Sequence, residues 1–529
     1  MLAVPQKRPV RFFNTTGPCY PWEHYMLPPA DRLIDAQLDR YISDRLYWVL
    51  HAPRQTGKTT FLQNWAREIN SGDEALACYV TIERCQRLPE PERCMPSICN
   101  AIQEHAGFSE LPVPVLETND PNSMVSNILI DWSKKTAPKP LIILFDEADA
   151  LEGGAMISFL RQLRGGFMDR GIGKFPVSIA LVGMRDLKDY VTAAKDGVQP
   201  SSLSPFNIKT DSILLDNFKQ DDVKKLFVQR TEETGQQITD EALEYVWEQS
   251  QGQPWIINSL FERATMRIIK RDDYSTVTLR HIEQAREQMI LARETHLDSL
   301  AIRLREPAIR SLMETLFSGN SDLTLAESDA FRICTDLGLV RLEKGVPSIA
   351  NPIYRETLAR QATFGAQTMI PEPEWQWEKP DGSLDMDALL KEFQKFWRRN
   401  SEVWEQKSDY TEAFPHLLLM AFLQRVLNGG GHIEREYAAG RGRMDLVVEY
   451  NKRIFIIEIK LVHPYDTPSE VHDEGLEQIR KYRDKIDINA PAYLVIFDRR
   501  DSAKNVPWEQ KIYWQEVTVS GGIVKVIGC

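Results

Sequence analysis

The sequence predicts an α/β protein of several domains, with a parallel sheet covered by helices, a helical lid, a winged-helix segment and a smaller C-terminal α/β domain. Three observations predict this fold class. The 529 residues exceed what one hydrophobic core supports, so two to four domains are expected. Between 46 and 215, five apolar runs of β type alternate with helical patterns, which is typical of a parallel sheet with helices on both faces. A second β-rich region with its own helices follows near the C-terminus.

The predicted boundaries divide the chain into six segments. They are an N-terminal arm (1–45), a core of sheet and helices (46–215), a helical lid (216–296), a winged-helix domain (297–365), a linker (366–400) and a C-terminal α/β domain (401–529). The linker is placed by the stretch 366–385, which is rich in Pro, Trp and charged residues. The winged helix is predicted from the order helix, helix and short β-wing within 297–362.

Composition limits the class of protein. The content of 43% hydrophobic and 26% charged residues is that of a globular protein, and no apolar run is long enough to span a bilayer. The basic start, MLAVPQKRPVRFF, lacks the apolar core of a secretion signal, and seven cysteines without a zinc-binding spacing predict reduced thiols. These features predict a cytoplasmic protein that binds no membrane. The net charge of −12 argues against a uniformly basic surface, but it is compatible with a local basic groove.

The five candidate strands of the first domain are YWVLHA, ACYVTIE, LIILFDE, VSIALVGM and DSILLDNF. A phosphate-binding loop, HAPRQTGKTT (51–60), follows the first strand and opens a helix, as a P-loop requires. Its amides and the helix N-terminus are predicted to wrap the phosphates of ATP, with Lys58 at the β- and γ-phosphates and Thr59 on Mg²⁺. Ala52 stands where the pattern has its first glycine. The residues predicted to contact the nucleotide are Arg54, Gln55, Thr56, Gly57, Lys58, Thr59 and Thr60.

A second motif of the same site ends the third strand, LIILFDE. Asp146 is predicted to hold Mg²⁺ through water, and Glu147 to polarise the attacking water as a catalytic residue. The alternative is a solvated acidic turn after a buried strand. Because the two motifs occur in the right order and context, the sequence favours ATP binding and hydrolysis.

Weaker signals accompany these motifs. Arg185, at the end of VSIALVGMRD, is placed like a polar sensor of the bound nucleotide, although a surface salt bridge is equally compatible. Arg161 and Arg164 could be arginine fingers, but a position on the solvated face of an amphipathic helix explains them better. Gly252-Gln-Pro-Trp255 resembles the GxP signature of signal-transducing ATPases, and its alternative is an ordinary helix start.

The C-terminal domain contains a predicted catalytic hairpin. Two β-rich runs flank Asn451 and Lys452, which suit a two-residue turn. Counting outward from this turn places Asp445 opposite Glu458, and Lys460 shares the face of Glu458 because side chains alternate along a strand. The two carboxylates are predicted to hold Mg²⁺, with Mn²⁺ as a substitute, and Lys460 to orient or activate a water. The alternative is an exposed Glu-Lys pair on an edge strand.

Further residues fit the same site. Gln478 and Tyr482 lie four residues apart on a predicted helix, where they would brace the hairpin and the phosphate. Glu412 and His416 share a face of another helix, and Glu412 is a candidate metal ligand. All four could instead be plain surface or buried polar residues. Two alternatives are left open for Arg441 and Arg443: they contact phosphates, or they are simply charged residues of a turn.

Residues 440–482, with Asp445, Glu458-x-Lys460 and Gln478-xxx-Tyr482, resemble the PD-(D/E)xK nuclease superfamily and most of all its branch with a QxxxY helix. The whole chain resembles a family of bacterial AAA-like P-loop ATPases fused to such a nuclease. The segments that carry this resemblance are FNTTGPCYPWEHYMLPP, APRQTGKTT, RQLRGG, SPFNIK, GQPW, NPIYRE and GGGHIEREYAAGRGRMDL. The resemblance implies a P-loop core (46–215) with lid, a winged helix and a nuclease fold (401–529), and a role in phage defence or mobile-element control.

The leading hypothesis is an enzyme in which ATP binding and hydrolysis regulate a Mg²⁺-dependent nuclease acting on DNA or RNA, with DNA favoured. ATP would reorder the lid and the winged helix and so expose or align the nuclease site. The alternative is a signalling or scaffold ATPase whose nuclease fold only binds nucleic acid or a partner. A processive motor is disfavoured for a monomer by the single P-loop, whereas a homo-oligomer formed through the ATPase domain is left open.

Overall fold

The computed structural model describes residues 10–184, 209–271, 273–292, 297, 302–317, 323–358, 377, 379, 383–407, 414–427, 431–435, 438–439, 442–443, 446–451, 453–462, 466–484, 487–498, 511–519 and 522–529. The contacts within the chain define two compact units. Unit 1 comprises Met1–Glu294, Glu327–Leu342 and Ile349–Ile353, and unit 2 comprises Thr295–Ala326, Glu343–Ser348 and Tyr354–Cys529. No helix in the described ranges is both long enough and apolar enough to cross a membrane.

Unit 1 contains a five-stranded sheet in which every neighbouring pair is parallel. Its strands are β1 (Tyr47–His51), β2 (Leu76–Thr81), β3 (Leu141–Asp146), β4 (Ser178–Gly183) and β5 (Lys209–Leu214), in the order β2-β3-β4-β1-β5. The five predicted strands are therefore confirmed, with the last one beginning two residues earlier than expected. Since parallel strands all end at one edge, the loops after β1, β3 and β4 meet there.

Helices cover both faces of this sheet. They are α1 (Leu38–Ser43), α2 (Lys58–Ser71), α3 (Pro91–Phe108), α4 (Met124–Thr136) and α5 (Gly153–Gly166). Short 3-10 turns occur at Pro29–Ala36, Glu83–Cys85, Ala148–Ala150 and Phe167–Ile172. Alternate strand residues feed two cores: Val49 and Phe145 pack with α3 to α5, whereas Leu50 and Leu144 pack with α2. Burial on both faces explains why these strands are continuous apolar runs.

Four further helices continue unit 1 after the sheet. They are α6 (Gln220–Thr234), α7 (Asp240–Ser250), α8 (Pro254–Glu262), which runs into a π-helix (Arg263–Ile268), and α9 (Leu279–Leu291). Thr239 caps α7 by accepting the N–H of Ala242, and Gly235 ends α6 with a φ of 79°. The purely helical character predicted for 216–270 is thus confirmed within the described residues.

The segment predicted as a winged helix contains the expected kinds of element. They are α10 (Pro307–Phe317), α11 (Asp329–Asp336), β6 (Val340–Glu343) and β7 (Val346–Ile349), with 3-10 turns at Arg303–Arg305 and Leu323–Glu327. β6 and β7 form a two-stranded sheet, and Lys344 and Gly345 between them have φ of 53° and 86°, as a tight hairpin turn requires. The contacts divide this segment, with α10 in unit 2 and α11 in unit 1. The winged-helix domain itself stays a prediction.

Unit 2 is built on a six-stranded mixed sheet of order β14-β15-β13-β12-β11-β8. Its strands are β8 (Gly431–Arg435), β11 (Leu446–Tyr450), β12 (Arg453–Val462), β13 (Ala492–Asp498), β14 (Tyr513–Val519) and β15 (Gly522–Gly528). Two short strands, β9 (Ala438–Ala439) and β10 (Gly442–Arg443), pair separately. One face packs on helix α14 (Pro468–Arg483) through Ile456, Ile479 and Tyr482.

Two helices precede this sheet: α12 (Met386–Lys407) and α13 (Phe414–Leu427). Phe393 and Trp397 of α12 lie against Phe497 of β13, with ring centroids 6.2 and 4.8 Å apart. The part of the predicted linker from 386 to 400 is therefore helical with a buried apolar face, and the linker boundaries stay a prediction. The physical reason is that Leu389, Phe393 and Trp397 recur at helical spacing beside the Pro- and Trp-rich stretch.

Candidate active sites

The first candidate site is the loop between β1 and α2. Gln55 and Gly57 have φ of 58° and 95°, so the loop passes twice through the left-handed region that glycine adopts most easily. Ala52 has no positive φ, and its N–H donates to the carbonyl oxygen of Gly183 at 3.2 Å. Alanine therefore fits the position of the missing glycine without backbone strain.

Lys58 is folded into this loop. Its side chain is buried, and Nζ donates to the carbonyl oxygens of Ala52 (2.8 Å) and Pro53 (2.9 Å). Burial lowers the pKa of the Lys58 amine, while the negative charges of Asp146 and Glu147 oppose that shift. The ammonium group thus lies in the mouth of a loop whose shape matches a phosphate cradle.

Thr59 and Asp146 connect the two predicted motifs. Thr59 Oγ1 donates to Asp146 Oδ2 at 2.6 Å, and Tyr79 donates its hydroxyl proton to the same oxygen at 3.3 Å. Asp146 is buried at the end of β3, and its Oδ1 accepts the N–H of Glu147 at 3.0 Å. A hydroxyl and a carboxylate at this separation are oxygen donors of the kind that Mg²⁺ prefers, so the pair fits a nucleotide-bound Mg²⁺.

Glu147 and Asp149 add two carboxyl groups beside Lys58. Glu147 has a φ of 58°, and burial, reinforced by the charges of Asp149 and Asp146, raises its pKa to about 7. Burial also raises the pKa of Asp149, whose Oδ1 is buried and has no hydrogen-bond partner among the described residues. A carboxyl group with a pKa near neutrality is suited to accept a proton from water.

The other predicted loop residues divide into two groups. Arg54 and Gln55 are exposed at the tip of the loop. Thr56 is buried and donates its hydroxyl to Pro53 O at 2.8 Å, and Thr60 Oγ1 accepts the N–H of Cys19 at 3.0 Å. The two threonines therefore hold the loop and its helix in shape, while the tip is free to meet a ligand.

The Gly-Gln-Pro-Trp motif lies beside the same loop. Gly252 has a φ of 81°, and Gln253 accepts the N–H of Ile256 at 2.7 Å, which caps α8. Gln253 Nε2 also reaches the carbonyl oxygen of Gln55 at 3.5 Å. Trp255 donates its indole N–H to the carbonyl oxygen of Thr15 at 3.0 Å. The motif thus connects the loop, α8 and the N-terminal arm.

Two predicted arginines are not brought into this site, and a third lies outside the described residues. Arg161 and Arg164 are exposed on α5, as a solvated helix face predicts. Arg185 lies outside the described residues, so its sensor role stays a prediction.

The second candidate site is built on β11 and β12. Tyr450 pairs with Arg453 and Val448 with Phe455, which is the predicted antiparallel register. Asn451, the first turn residue, has a φ of 49°, as the turn requires, while Lys452 lies outside the described residues. The hairpin prediction is therefore confirmed over the described pairs.

Glu458 and Lys460 lie on one face of β12. The carboxylate of Glu458 is 3% exposed, and its Oε1 lies 3.3 Å from Lys460 Nζ. β13 pairs with both residues, whereas the described pairs between β12 and β11 end at Ile457. Because Glu458 is buried, the alternative of an exposed Glu-Lys pair does not describe this site. Burying a charged pair is costly, which is why such pairs are concentrated at functional sites.

Helix α14 places its side chains over this pair. Gln478 Nε2 donates to Glu474 Oε1 at 3.4 Å, and the same oxygen lies 3.4 Å from Lys460 Nζ. Tyr482, one turn beyond Gln478, is buried in the core below. The close approach depends on Gly475, where a Cβ would lie 2.5 Å from Leu494 Cδ1.

Several predicted residues of this site are not among the described residues. Asp445, Glu412 and Arg441 lie outside the described residues, as do the side chains of His416 and Arg443. Within the described part of the chain, no group of three or more His, Cys, Asp or Glu side chains has a metal-binding arrangement. Glu458 is a buried oxygen donor that fits a divalent metal, and the remaining ligands stay predictions.

Three residues near these sites were not predicted. The position of Asp149 in the acidic run Asp146-Glu-Ala-Asp149 is the signal that could have indicated it. Arg32 donates to the carbonyl oxygen of Thr56 at 2.6 Å, and Glu474 lies four residues before Gln478. Helical spacing could have indicated Glu474, whereas the contact of Arg32 depends on tertiary packing alone.

Comparison with protein families identifies both domains. The model of an AAA domain matches residues 41–191, and that of the PD-(D/E)XK nuclease superfamily matches residues 410–497. The chain therefore contains an AAA-type ATPase domain followed by a nuclease-superfamily domain, which confirms the resemblance seen in the sequence. Both are domains of enzymes. No curated protein matches the chain.

The solved structures to which the chain is similar include the following three. The Walker-type ATPase of Pyrococcus abyssi is 15% identical, covers 65% of this chain and 99% of its own, and has a TM-score of 0.48. The RuvB Holliday junction branch migration motor of Thermotoga maritima is 14% identical over 62% of this chain and 93% of its own, with a TM-score of 0.34. Cdc6p from Pyrobaculum aerophilum is 12% identical, the match covers 64% of this chain and 94% of Cdc6p, and the TM-score is 0.35.

Proposed function

We propose that this chain is an ATP-regulated nuclease, in which the P-loop site hydrolyses ATP and the site on β12 cleaves phosphodiester bonds of nucleic acid. The observation that carries the proposal is the buried Glu458 beside Lys460, on a hairpin whose register agrees with the predicted one. A fold used only for binding has no need of a buried charged pair with this sequence spacing. DNA is the favoured substrate over RNA, and defence or mobile-element control is the favoured role.

At the ATP site, each residue has a distinct role. Lys58 would leave the carbonyl oxygens of Ala52 and Pro53 and bind the β- and γ-phosphates. Thr59 and Asp146 would hold Mg²⁺, which supplies neutralisation of the phosphate charge. Glu147 would accept the proton of the attacking water, a role supported by its raised pKa.

At the nuclease site, Glu458 would share a Mg²⁺ or Mn²⁺ ion with Asp445. Asp445 directly precedes Leu446, which pairs with Ile457, so a register extended by one residue would set Asp445 against Glu458. A bound divalent ion supplies an activated water and neutralises charge at the phosphorus. Lys460 would orient that water and stabilise the charge that develops on the phosphate. Glu412 is a further candidate ligand, and Gln478 and Tyr482 would support the hairpin.

The lid and the winged-helix segment would couple the ATP site to the nuclease site. ATP binding would reorder these parts and so align or expose the nuclease site. Assembly of several copies through the ATPase domain is compatible with the same scheme.

The test is a cleavage assay with the purified full chain. Plasmid, linear duplex and single-stranded substrates are incubated with Mg²⁺, Mn²⁺ or EDTA, each with and without ATP. The proposal predicts cleavage that requires the metal and changes with ATP. A protein that hydrolyses ATP but cuts none of these substrates under any condition would refute the nuclease assignment.

A further inference from the structure

Glu474 occupies the mouth of the nuclease site, and it belongs to neither of the sequence motifs. Its side chain is 63% exposed, whereas Lys460 beneath it is 17% exposed. A single oxygen, Oε1, lies 3.4 Å from Lys460 Nζ and 3.4 Å from Gln478 Nε2. Two donors from different elements, β12 and α14, thus converge on one anionic oxygen.

The two donors are held more firmly than the carboxylate. Lys460 is anchored by Glu458 at 3.3 Å, and both residues are paired with β13. Gln478 is held because α14 rests on the sheet at Gly475, directly above Leu494. Leu494 is itself the strand partner of Glu458. The pair of donors is therefore a preformed position for an anionic oxygen, and the exposed Glu474 is the partner that can leave.

Gln478 adds a second sign that this position is built for a ligand. Its Oε1 is buried and has no hydrogen-bond partner among the described residues. A buried amide oxygen without a partner is costly, so such atoms are expected where a ligand completes the site. Waters that accompany a bound backbone can supply the missing donor.

We propose that Lys460 Nζ and Gln478 Nε2 bind a backbone phosphate oxygen of nucleic acid, and that Glu474 fills this position until the phosphate displaces it. This inference rests on the proposed nuclease function. A phosphate oxygen carries the same charge as the carboxylate oxygen and accepts the same two hydrogen bonds. Glu474 thereby competes with substrate and weakens its binding.

The test measures binding without cleavage. Anisotropy of a labelled single-stranded oligodeoxynucleotide is titrated with the full chain in EDTA, for wild type, Glu474→Gln, Glu474→Asp and Glu470→Gln. Both changes at 474 should tighten binding by about three- to fivefold, the size expected for loss of an exposed ion pair. Glu474→Asp keeps the charge but shortens the reach, so it separates the specific contact from general repulsion. Glu470→Gln, one turn earlier on α14, removes a charge of the same helix and should leave affinity within twofold.

Two results would overturn the inference. Unchanged or weaker binding by Glu474→Gln would show that the carboxylate does not compete with phosphate. Equal gains in affinity from Glu470→Gln and Glu474→Gln, with no gain from Glu474→Asp, would show that only the net charge of the helix matters. Lys460→Ala separates this failure from failure of the nuclease itself. If Lys460→Ala weakens binding while the substitutions at Glu474 leave binding unchanged, only the inference fails. If Lys460→Ala changes neither binding nor Mg²⁺-dependent cleavage, the proposed function fails as well.

Discussion

At the scale of single residues, Lys58 and Glu147 should separate binding of ATP from its hydrolysis. Lys58→Ala removes the ammonium group that lies in the loop, so nucleotide affinity should be lost. Glu147→Gln keeps the size of the side chain but cannot accept a proton, so ATP should still bind while turnover falls about 100-fold or more. Nucleotide titration by fluorescence and a phosphate-release assay distinguish the two effects. Equal turnover by wild type and Glu147→Gln would remove Glu147 from the mechanism.

The residues that sequence reasoning could and could not supply differ in kind. Lys58, Asp146 and Glu458 follow from motifs in which the chemistry fixes the spacing along the chain. Helical spacing indicates that Glu474 lies beside Gln478, but its contact with Lys460 becomes visible only when helix and strand pack. The contact of Arg32 with Thr56 likewise depends on packing, because the two residues are remote in sequence. A short motif therefore predicts the reacting groups better than the groups that hold them.

At the scale of elements, Gly252 tests how α8 is held beside the P-loop. Gly252 has a φ of 81°, and an added Cβ would overlap the carbonyl oxygen of Phe218. Gly252→Ala should therefore incur both the left-handed backbone cost, about 1 kcal/mol, and a steric clash of about 1–3 kcal/mol. Thermal unfolding should show a clearly lowered midpoint, and nucleotide affinity should fall because Gln253 moves.

Gly235 provides the matched control for this prediction. Its φ of 79° is nearly the same, but an added Cβ would meet no atom of the described residues within 4 Å. Gly235→Ala should therefore show the backbone cost alone and leave nucleotide affinity unchanged. Equal losses of stability in the two variants would mean that the approach of Gly252 to Phe218 is not tight in solution.

The strands and the catalytic hairpin were predictable because their signals are local. Buried apolar runs gave the five strands, and the two-residue turn at Asn451 gave the register of β11 and β12. Helical spacing starts at Met386, inside the segment that the composition near Trp377 assigns to a linker, so composition and periodicity indicate different structures there. The spatial order of the strands in the six-stranded sheet depends on pairings between distant segments, which local pattern does not encode.

At the scale of the whole molecule, coupling between ATP and cleavage should depend on Arg341. Arg341 Nη1, on β6, donates to Gln251 Oε1 at 2.8 Å, next to the Gly-Gln-Pro-Trp motif that contacts the P-loop. In the same region, a Cβ at Gly338 would lie 2.8 Å from Pro53 Cβ. Arg341→Ala should therefore leave ATP turnover nearly unchanged while the effect of ATP on nuclease rate is reduced severalfold.

The control for this coupling prediction is Arg332→Ala. Arg332 lies on the neighbouring helix α11, is exposed, and pairs with Asp329 at 3.2 Å. Its removal should leave both ATP turnover and the ATP effect on cleavage as they are. If Arg341→Ala keeps the full ATP effect, the contact between β6 and Gln251 carries no regulation.

The central claim is that one chain carries an ATPase site and a separate metal-dependent nuclease site built from different residues. It is tested by measuring plasmid cleavage and ATP turnover on the same preparations of wild type, Asp445→Ala, Lys460→Ala and Lys481→Ala. Asp445→Ala should abolish cleavage, and Lys460→Ala should reduce it about 100- to 1,000-fold while Mn²⁺ binding persists, with ATP turnover preserved in both. Lys481 is an exposed lysine of α14, so Lys481→Ala serves as the control and should change neither plasmid cleavage nor ATP turnover. Undiminished Mg²⁺-dependent cleavage by Asp445→Ala and Lys460→Ala would contradict the claim.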